Sequence, residues 1–244
     1  MLAEKNRHER DHNVKYNDES HTYRVEYNVI ISVTKLVHIC FPEFNKDIVA
    51  EKKSIIVGKT KEEVIKEWET LAKKGSDYHK MIENYLNSQS TACHSGFLEY
   101  HEELLAKGWE PFRTEMTIWG GEIAGTVDAI YQHKTTKKFL ILDWKHCRKI
   151  YKTSVDNTKG YYFLDHLENC NYNHYMLQIG IYRHILEKYY NYDVEDAYVV
   201  NIFNAKRAYS YKLKDYKQIW EPLVLKLMDF VFTYKNQIIN HLKN

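Results

Sequence analysis

The feature that most constrains this chain is a run of strand-forming sequence between residues 112 and 145. Residues 112–119 alternate and are rich in β-branched and aromatic side chains, the pattern of a half-buried strand. Gly120-Gly121 follows as a two-residue hairpin turn, and residues 122–131 read as a second strand. A polar turn over residues 133–138 leads into a third strand, residues 139–145. Its Phe139-Leu140-Ile141-Leu142 is the continuous apolar run of a strand buried on both faces. Three such strands make an antiparallel meander, which is stable only when its apolar faces are covered.

The flanking sequence supplies helices to cover it. Thr60-Lys61-Glu62-Glu63 has the form of a capping box, with Val64, Ile65, Trp68 and Leu71 on one face. Gly75 interrupts that pattern and Ser76 restarts it, with His79, Ile82, Glu83 and Leu86 following. Residues 97–107 form another helix, stopped by Gly108. After the meander come a helix over residues 175–189 and a hairpin from residues 197–203 and 208–213. A final helix runs from Asp215, with Ile219, Leu223, Leu227 and Phe230 on its apolar face. Upstream, residues 20–31 read as a hairpin, after which Ser32 caps a short helix. This order is α+β, an α/β/α arrangement with a central mixed β-sheet flanked by helices.

At 244 residues the chain fits one domain. Residues 1–110 hold the N-terminal hairpin and helices, and residues 111–244 hold the meander, a helix, a hairpin and the last helix. With 3 prolines and 9 glycines, long flexible linkers are not expected. Basic and acidic residues, 35 against 33, nearly cancel, so any nucleic-acid surface must be local. Cys40, Cys93, Cys147 and Cys170 show no C-x-x-C spacing, which argues against a zinc or iron–sulfur site. Residues 1–12 lack the apolar core of a signal peptide, and no apolar run approaches the roughly 20 residues of a membrane span. A soluble intracellular protein without a membrane partner is expected.

The chemistry concentrates at the end of the third strand. Residues two apart on a strand share a face, so Asp143 and Lys145 stand side by side. Alone the pair is equally a structural ion pair, and Asp-x-Lys recurs at Asp215-Tyr216-Lys217 and, with glutamate, at Glu51-Lys52-Lys53. Asp128, in Gly125-Thr126-Val127-Asp128, adds a second carboxylate one strand away. Adjacent strands lie about 4.8 Å apart, and two anions at that spacing repel unless a proton or a cation lies between them. Oxygen ligands of this kind suit Mg²⁺ or Mn²⁺. The alternative readings are Asp128 as an exposed strand-end residue and His79, on its own, as a packed or surface histidine.

Gly-x-x-Asp on one strand and Asp-x-Lys on the next resemble the core signature of the PD-(D/E)XK nucleases. Gly75-Ser76-Asp77-Tyr78-His79 with Ile82-Glu83 is similar to the helical histidine motif of the RecB and lambda-exonuclease branch. Gln178-Ile179-Gly180-Ile181-Tyr182 resembles its Q-x-x-x-Y motif, and Glu115 the glutamate on its first strand. His21-Thr22-Tyr23, Ser32-Val33-Thr34 and the stretch from Asp165 to Tyr175 resemble small viral, phage and mitochondrial members. The likeness runs through nearly the whole chain, in order. Val127 stands where the superfamily's name has proline, and the cysteine cluster of the iron–sulfur members is missing. Gly58-Lys59-Thr60 is half of a phosphate loop, with Lys53 where the first glycine belongs, so no bound nucleotide is expected.

The resemblance implies a restriction-endonuclease-like core and metal-dependent hydrolysis of phosphodiester bonds in DNA. The expected role is exonuclease or flap and end processing in replication, recombination or repair. It implies one or two Mg²⁺ or Mn²⁺ ions held by His79, Asp128, Asp143 and the Trp144 carbonyl, with Glu115 close by. Lys145 would orient the attacking water, Gln178 and Tyr182 would meet the nucleic-acid backbone and active site, and Glu83 would orient the imidazole. Lys138, Arg148, Lys149 and Lys152 form a basic strip for phosphates. An RNA endonuclease on the same fold and a catalytically inactive nucleic-acid-binding module are the alternatives. The resemblance allows the cytoplasm, the nucleus or a viral factory as the place of action.

Overall fold

Residues 139–145 form a strand because almost every side chain in them has an apolar surface to meet. In the computed structural model, which describes residues 1–17, 22–204 and 207–241, this strand is the hub of an α+β fold with a mixed sheet. The strands are β1 (Val14–Asn17), β2 (Thr22–Val25), β3 (Asn28–Ser32), β4 (Trp109–Gly120), β5 (Ile123–His133), β6 (Phe139–Lys145), β7 (Val194–Asn201) and β8 (Tyr209–Lys212). The helices are α1 (Leu2–Lys5), α2 (Val33–Ile39), α3 (Lys46–Val57), α4 (Lys61–Leu86), α5 (Ser95–Ala106), α6 (Asn171–Tyr190) and α7 (Glu221–His241).

β4, β5 and β6 pair antiparallel as a meander, β7 joins β6 in parallel, and β8 closes that edge antiparallel. On β6, Leu140, Leu142 and Trp144 pack with Ile82 and Leu86 of α4 and Phe97 and Leu104 of α5. Phe139 and Ile141 face the other way, into a core with Leu36, Leu177, Ile181 and Leu227 from α2, α6 and α7. Each fully buried aliphatic side chain contributes roughly 1.5–3 kcal/mol. The strand thus gains enough on its two faces to carry a charged pair at its end.

Several boundaries differ from the sequence expectations. The meander's first turn is Gly121-Glu122, because Gly120 pairs with Ile123 and Gly121 takes the left-handed φ of +58°. α4 does not break at Gly75. It runs unbroken for 26 residues from the Thr60/Glu63 capping box, since one glycine costs a helix only about 1 kcal/mol. Ser32 precedes α2 but makes no side-chain capping bond. The last helix is preceded by a π-turn, Tyr216–Trp220, and Ile219 is 46% exposed rather than part of the apolar face. The N-terminal strands also join the main sheet, through parallel pairing of Ile31 and Ser32 with Ile123 and Ala124. Ser20 and His21 lie outside the described residues.

That pairing opens the sheet locally. β4 occupies one whole edge of β5, and the other edge is shared by β3 at Ile123–Ala124 and by β6 from Ala129 onward. Among the described residues, 125–128 have no strand partner on that second edge.

Candidate metal centre

Asp128 ends the unpaired stretch of β5. The last β5–β6 pair is Ala129 with Leu142, so Asp128 and Asp143 are both one residue past the point where the ladder stops. Asp128 fills the fork with its own side chain, Oδ2 accepting a hydrogen bond of 2.7 Å from the Trp144 amide. It is therefore the Trp144 N–H, rather than its carbonyl, that the structure shows engaged at the site.

On the opposite edge, the pairs Thr114–Ala129 and Met116–Val127 bracket Glu115, which lies across from Asp128. Glu115 has φ +45° in the middle of a strand, a left-handed conformation that is costly for a residue with a Cβ. Like charges directly opposed on neighbouring strands are destabilising. Burial pushes the Glu115 carboxyl up to about 8, and Asp128, Glu83 and Asp143 add to that rise.

His79 completes this group from α4. Its Nδ1 is 3.5 Å from Asp128 Oδ2 and 4.0 Å from Glu115 Oε1, and ligand atoms of the three residues all lie within 4.8 Å of one another. One imidazole and two carboxylates form a donor set that fits Mn²⁺ or Mg²⁺. The raised pKa of Glu115 fits it too, because a cation relieves the repulsion between the opposed carboxylates. His79 and Glu115 border a cleft of about 700 Å³ whose walls also include Tyr16, Tyr23 and Thr126.

Asp143 lies outside that three-residue group. It is 1% exposed, and Lys145 Nζ is 2.6 Å from its Oδ2. Burial raises the Asp143 carboxyl, and Lys145 offsets part of the rise. Burial alone would lower the Lys145 ammonium, but Asp143 and Asp128 outweigh it and hold the group above the ordinary lysine range. The Lys145 Nζ also sits 5.0 Å from the centre of the Tyr175 ring on α6.

The Q-x-x-x-Y pair faces inward. Tyr182 is 2% exposed, within the apolar core, so it does not present a surface to nucleic acid as expected. Gln178 is half-buried, and its Nε2 donates to the Tyr182 hydroxyl at 2.9 Å. A Cβ on Gly125 would come within 2.6 Å of Tyr182 Cε1, so this glycine is what admits the ring against β5. Burial holds the phenol far above its usual pKa, neutral and able to accept that bond.

Other expected residues are displaced. Glu83 is ion-paired with Lys80 at 2.8 Å and does not orient the imidazole. Lys138 lies at the turn end of β6, about 23 Å from Lys145 at the usual rise per strand residue, and cannot belong to a phosphate strip there. Arg148, Lys149 and Lys152 are exposed on the loop that follows Lys145. Sequence reasoning missed Asn201, 6% exposed at the end of β7. Its side chain accepts from the Cys147 amide and donates to the Cys147 carbonyl, at 3.3 and 2.8 Å, holding that loop in place.

The chain matches no described protein family and no curated protein. Among solved structures it is similar to the crystal structure of SSO0001, at 17% identity and a TM-score of 0.38, over 84% of this chain and 76% of that one. Among the described residues, no helix is long and apolar enough to cross a membrane.

Proposed function

We propose that this chain is a divalent-metal-dependent nuclease that hydrolyses phosphodiester bonds in DNA, on a restriction-endonuclease-like core of the PD-(D/E)XK kind. The observation that carries this reading is the clustering of Glu115, Asp128 and Asp143 on three neighbouring strands, with His79 beside two of them and Lys145 paired to the third. Three carboxylates close to one ammonium form an excess of negative charge that suits a cation better than a folded core alone.

His79, Glu115 and Asp128 would hold the ion, and Asp143, next to Lys145, would add negative charge to the site. A bound divalent ion acidifies water and neutralises charge developing on a phosphoryl oxygen. Lys145 keeps its proton and supplies a fixed positive charge to a phosphoryl oxygen or to the attacking water. Asp143 and the Tyr175 ring restrict where that charge can go. Gln178 donates to the Tyr182 hydroxyl and would help position the strand to be cut.

The test is incubation with end-labelled single-stranded, duplex and flapped DNA and with RNA, in Mg²⁺, Mn²⁺ or EDTA. Cleavage of DNA ends or flaps in either metal, abolished by EDTA, is expected. Undiminished cleavage after rigorous chelation, or no cleavage of any substrate, overturns the reading. His79→Ala should raise the Mn²⁺ concentration needed for half-maximal rate.

A further inference from the structure

Beyond Lys145, lysines and tyrosines continue in pairs. Lys145 lies over Tyr175 at 5.0 Å, Lys152 over Tyr172 at 5.1 Å and Lys149 over Tyr151 at 5.0 Å. The pairs are structurally joined. Tyr172 and Tyr175 are one turn apart at the start of α6 and so share a face, and the Tyr172 amide donates to the Tyr151 carbonyl at 3.2 Å. Asn171 clamps the third pair: its Oδ1 accepts from the Tyr151 amide at 2.7 Å and its Nδ2 donates to the Lys149 carbonyl at 3.1 Å.

Exposure rises outward along the series. Tyr175 and Tyr172 are partly buried, whereas Tyr151, Lys149 and Lys152 are exposed. Neither outer ammonium has a carboxylate partner among the described residues. Nearby acids are turned to bracing the loop: Asp156 accepts from the Ser154 and Thr158 hydroxyls, and Glu168 from the Ser154 amide. What reaches solvent is the Tyr151 ring, part of the Tyr172 ring and two ammonium groups without a carboxylate partner among the described residues.

We propose that this row is a track for an unpaired nucleic-acid strand, with bases stacking on Tyr151 and Tyr172 and phosphates meeting Lys149 and Lys152 on the way to Lys145. The proposal deepens the nuclease reading and rests on it for the direction of the strand. Every base has a π-face and every nucleotide a phosphate, so alternating rings and cations recognise a single strand without reading its sequence. In a duplex the bases are stacked on one another and cannot use the rings.

The test measures binding rather than hydrolysis, by fluorescence anisotropy of labelled oligo-dT, oligo-U and blunt duplex DNA with the full chain in Ca²⁺. Tyr151→Ala should weaken binding to the unpaired strands by roughly five- to a hundredfold, the usual effect of losing one stacking ring, and change duplex binding by less than about twofold. Tyr151→Phe keeps the ring and should keep the affinity, which separates lost stacking from lost folding. Lys149→Ala with Lys152→Ala should flatten the salt dependence on single strands by about 0.7 per lysine removed. Loss on only one of the two unpaired strands supports the track for that strand. Unchanged affinity on both, or equal loss on the duplex, overturns it. If the track behaves as stated while no substrate is cleaved in Mg²⁺ or Mn²⁺, the nuclease reading fails and the track stands.

Discussion

The two ends of the β5–β6 hairpin are built from the same strands and have opposite characters. At the turn end the ladder is complete from Ala129–Leu142 to Gln132–Phe139, and the paired side chains are mostly apolar. At the other end the strands part, and the residues just past the last pair are Asp128 and Asp143. The complete end fixes the geometry. The parted end leaves polar groups to be satisfied by side chains, as the Trp144 amide is by Asp128. Chemistry is expected only where the ladder lets go.

The strongest way to break this contrast is at the parted end. Asp128→Ala and Asp143→Ala should each lower cleavage by about three orders of magnitude or more, as expected when an ion supplies most of the charge stabilisation. Lys145→Ala should also abolish cleavage but leave affinity within about threefold, because one ammonium is a small share of the phosphate contacts. Filter binding in Ca²⁺ beside rate measurements in Mg²⁺ checks both; retained cleavage in any of the three variants removes that residue from the site.

The next effect is on stability. Gly125→Ala forces a Cβ to 2.6 Å from the buried Tyr182 ring and should cost roughly 1–3 kcal/mol, the usual range for overpacking. Urea unfolding measures it. Tyr182→Leu in the same chain should recover part of the loss, and strict additivity of the two changes would show that the glycine and the ring are not in register.

A smaller effect sharpens the contrast through pH. Burial pushes the Glu115 carboxyl up to about 8, against 4.5 for an ordinary glutamate. Its contribution to stability is therefore complete below the unfolded value and is lost as pH rises from 4.5 through 8. A bound cation reverses this by favouring the ionised carboxylate, so the gain in Tm from Mn²⁺ over EDTA should grow across the same window. A gain that is flat with pH would take Glu115 out of the ligand set. Smallest of all is the control at the complete end: Lys138→Ala should change cleavage and affinity by less than about twofold, measured in the same assays.

The sequence made the body of the sheet legible because its signals are local. The apolar run before Asp143 and the capping box at Thr60 each depend on neighbours a few residues away, and both stand where they were expected. The site was legible only in part. Asp128, Asp143 and Lys145 announce themselves through spacing, but the left-handed backbone at Glu115 has no local signature, since glutamate does not favour it. Asn201 acts on Cys147 across 54 residues, which no periodicity encodes. Tyr182 was expected to meet nucleic acid only through the motif resemblance; α6 is buried on most sides, and the hydroxyl accepts from Gln178 within its own helix. Lys138 was misplaced for a simpler reason: adjacency in sequence to β6 says nothing about which end of the strand carries the carboxylates.

The opposed pair at Glu115 and Asp128 also bears on the order of events during folding. The apolar clusters on both faces of the sheet close without help from the carboxylates. With a proton on Glu115 the two side chains can be brought together while the chain is still assembling. The protein is thus not obliged to capture a cation from dilute solution before it can fold, as a small zinc-nucleated domain is. On the proposed metal-dependent reading, loading would be a late exchange, in which an arriving ion displaces a proton from a scaffold already built.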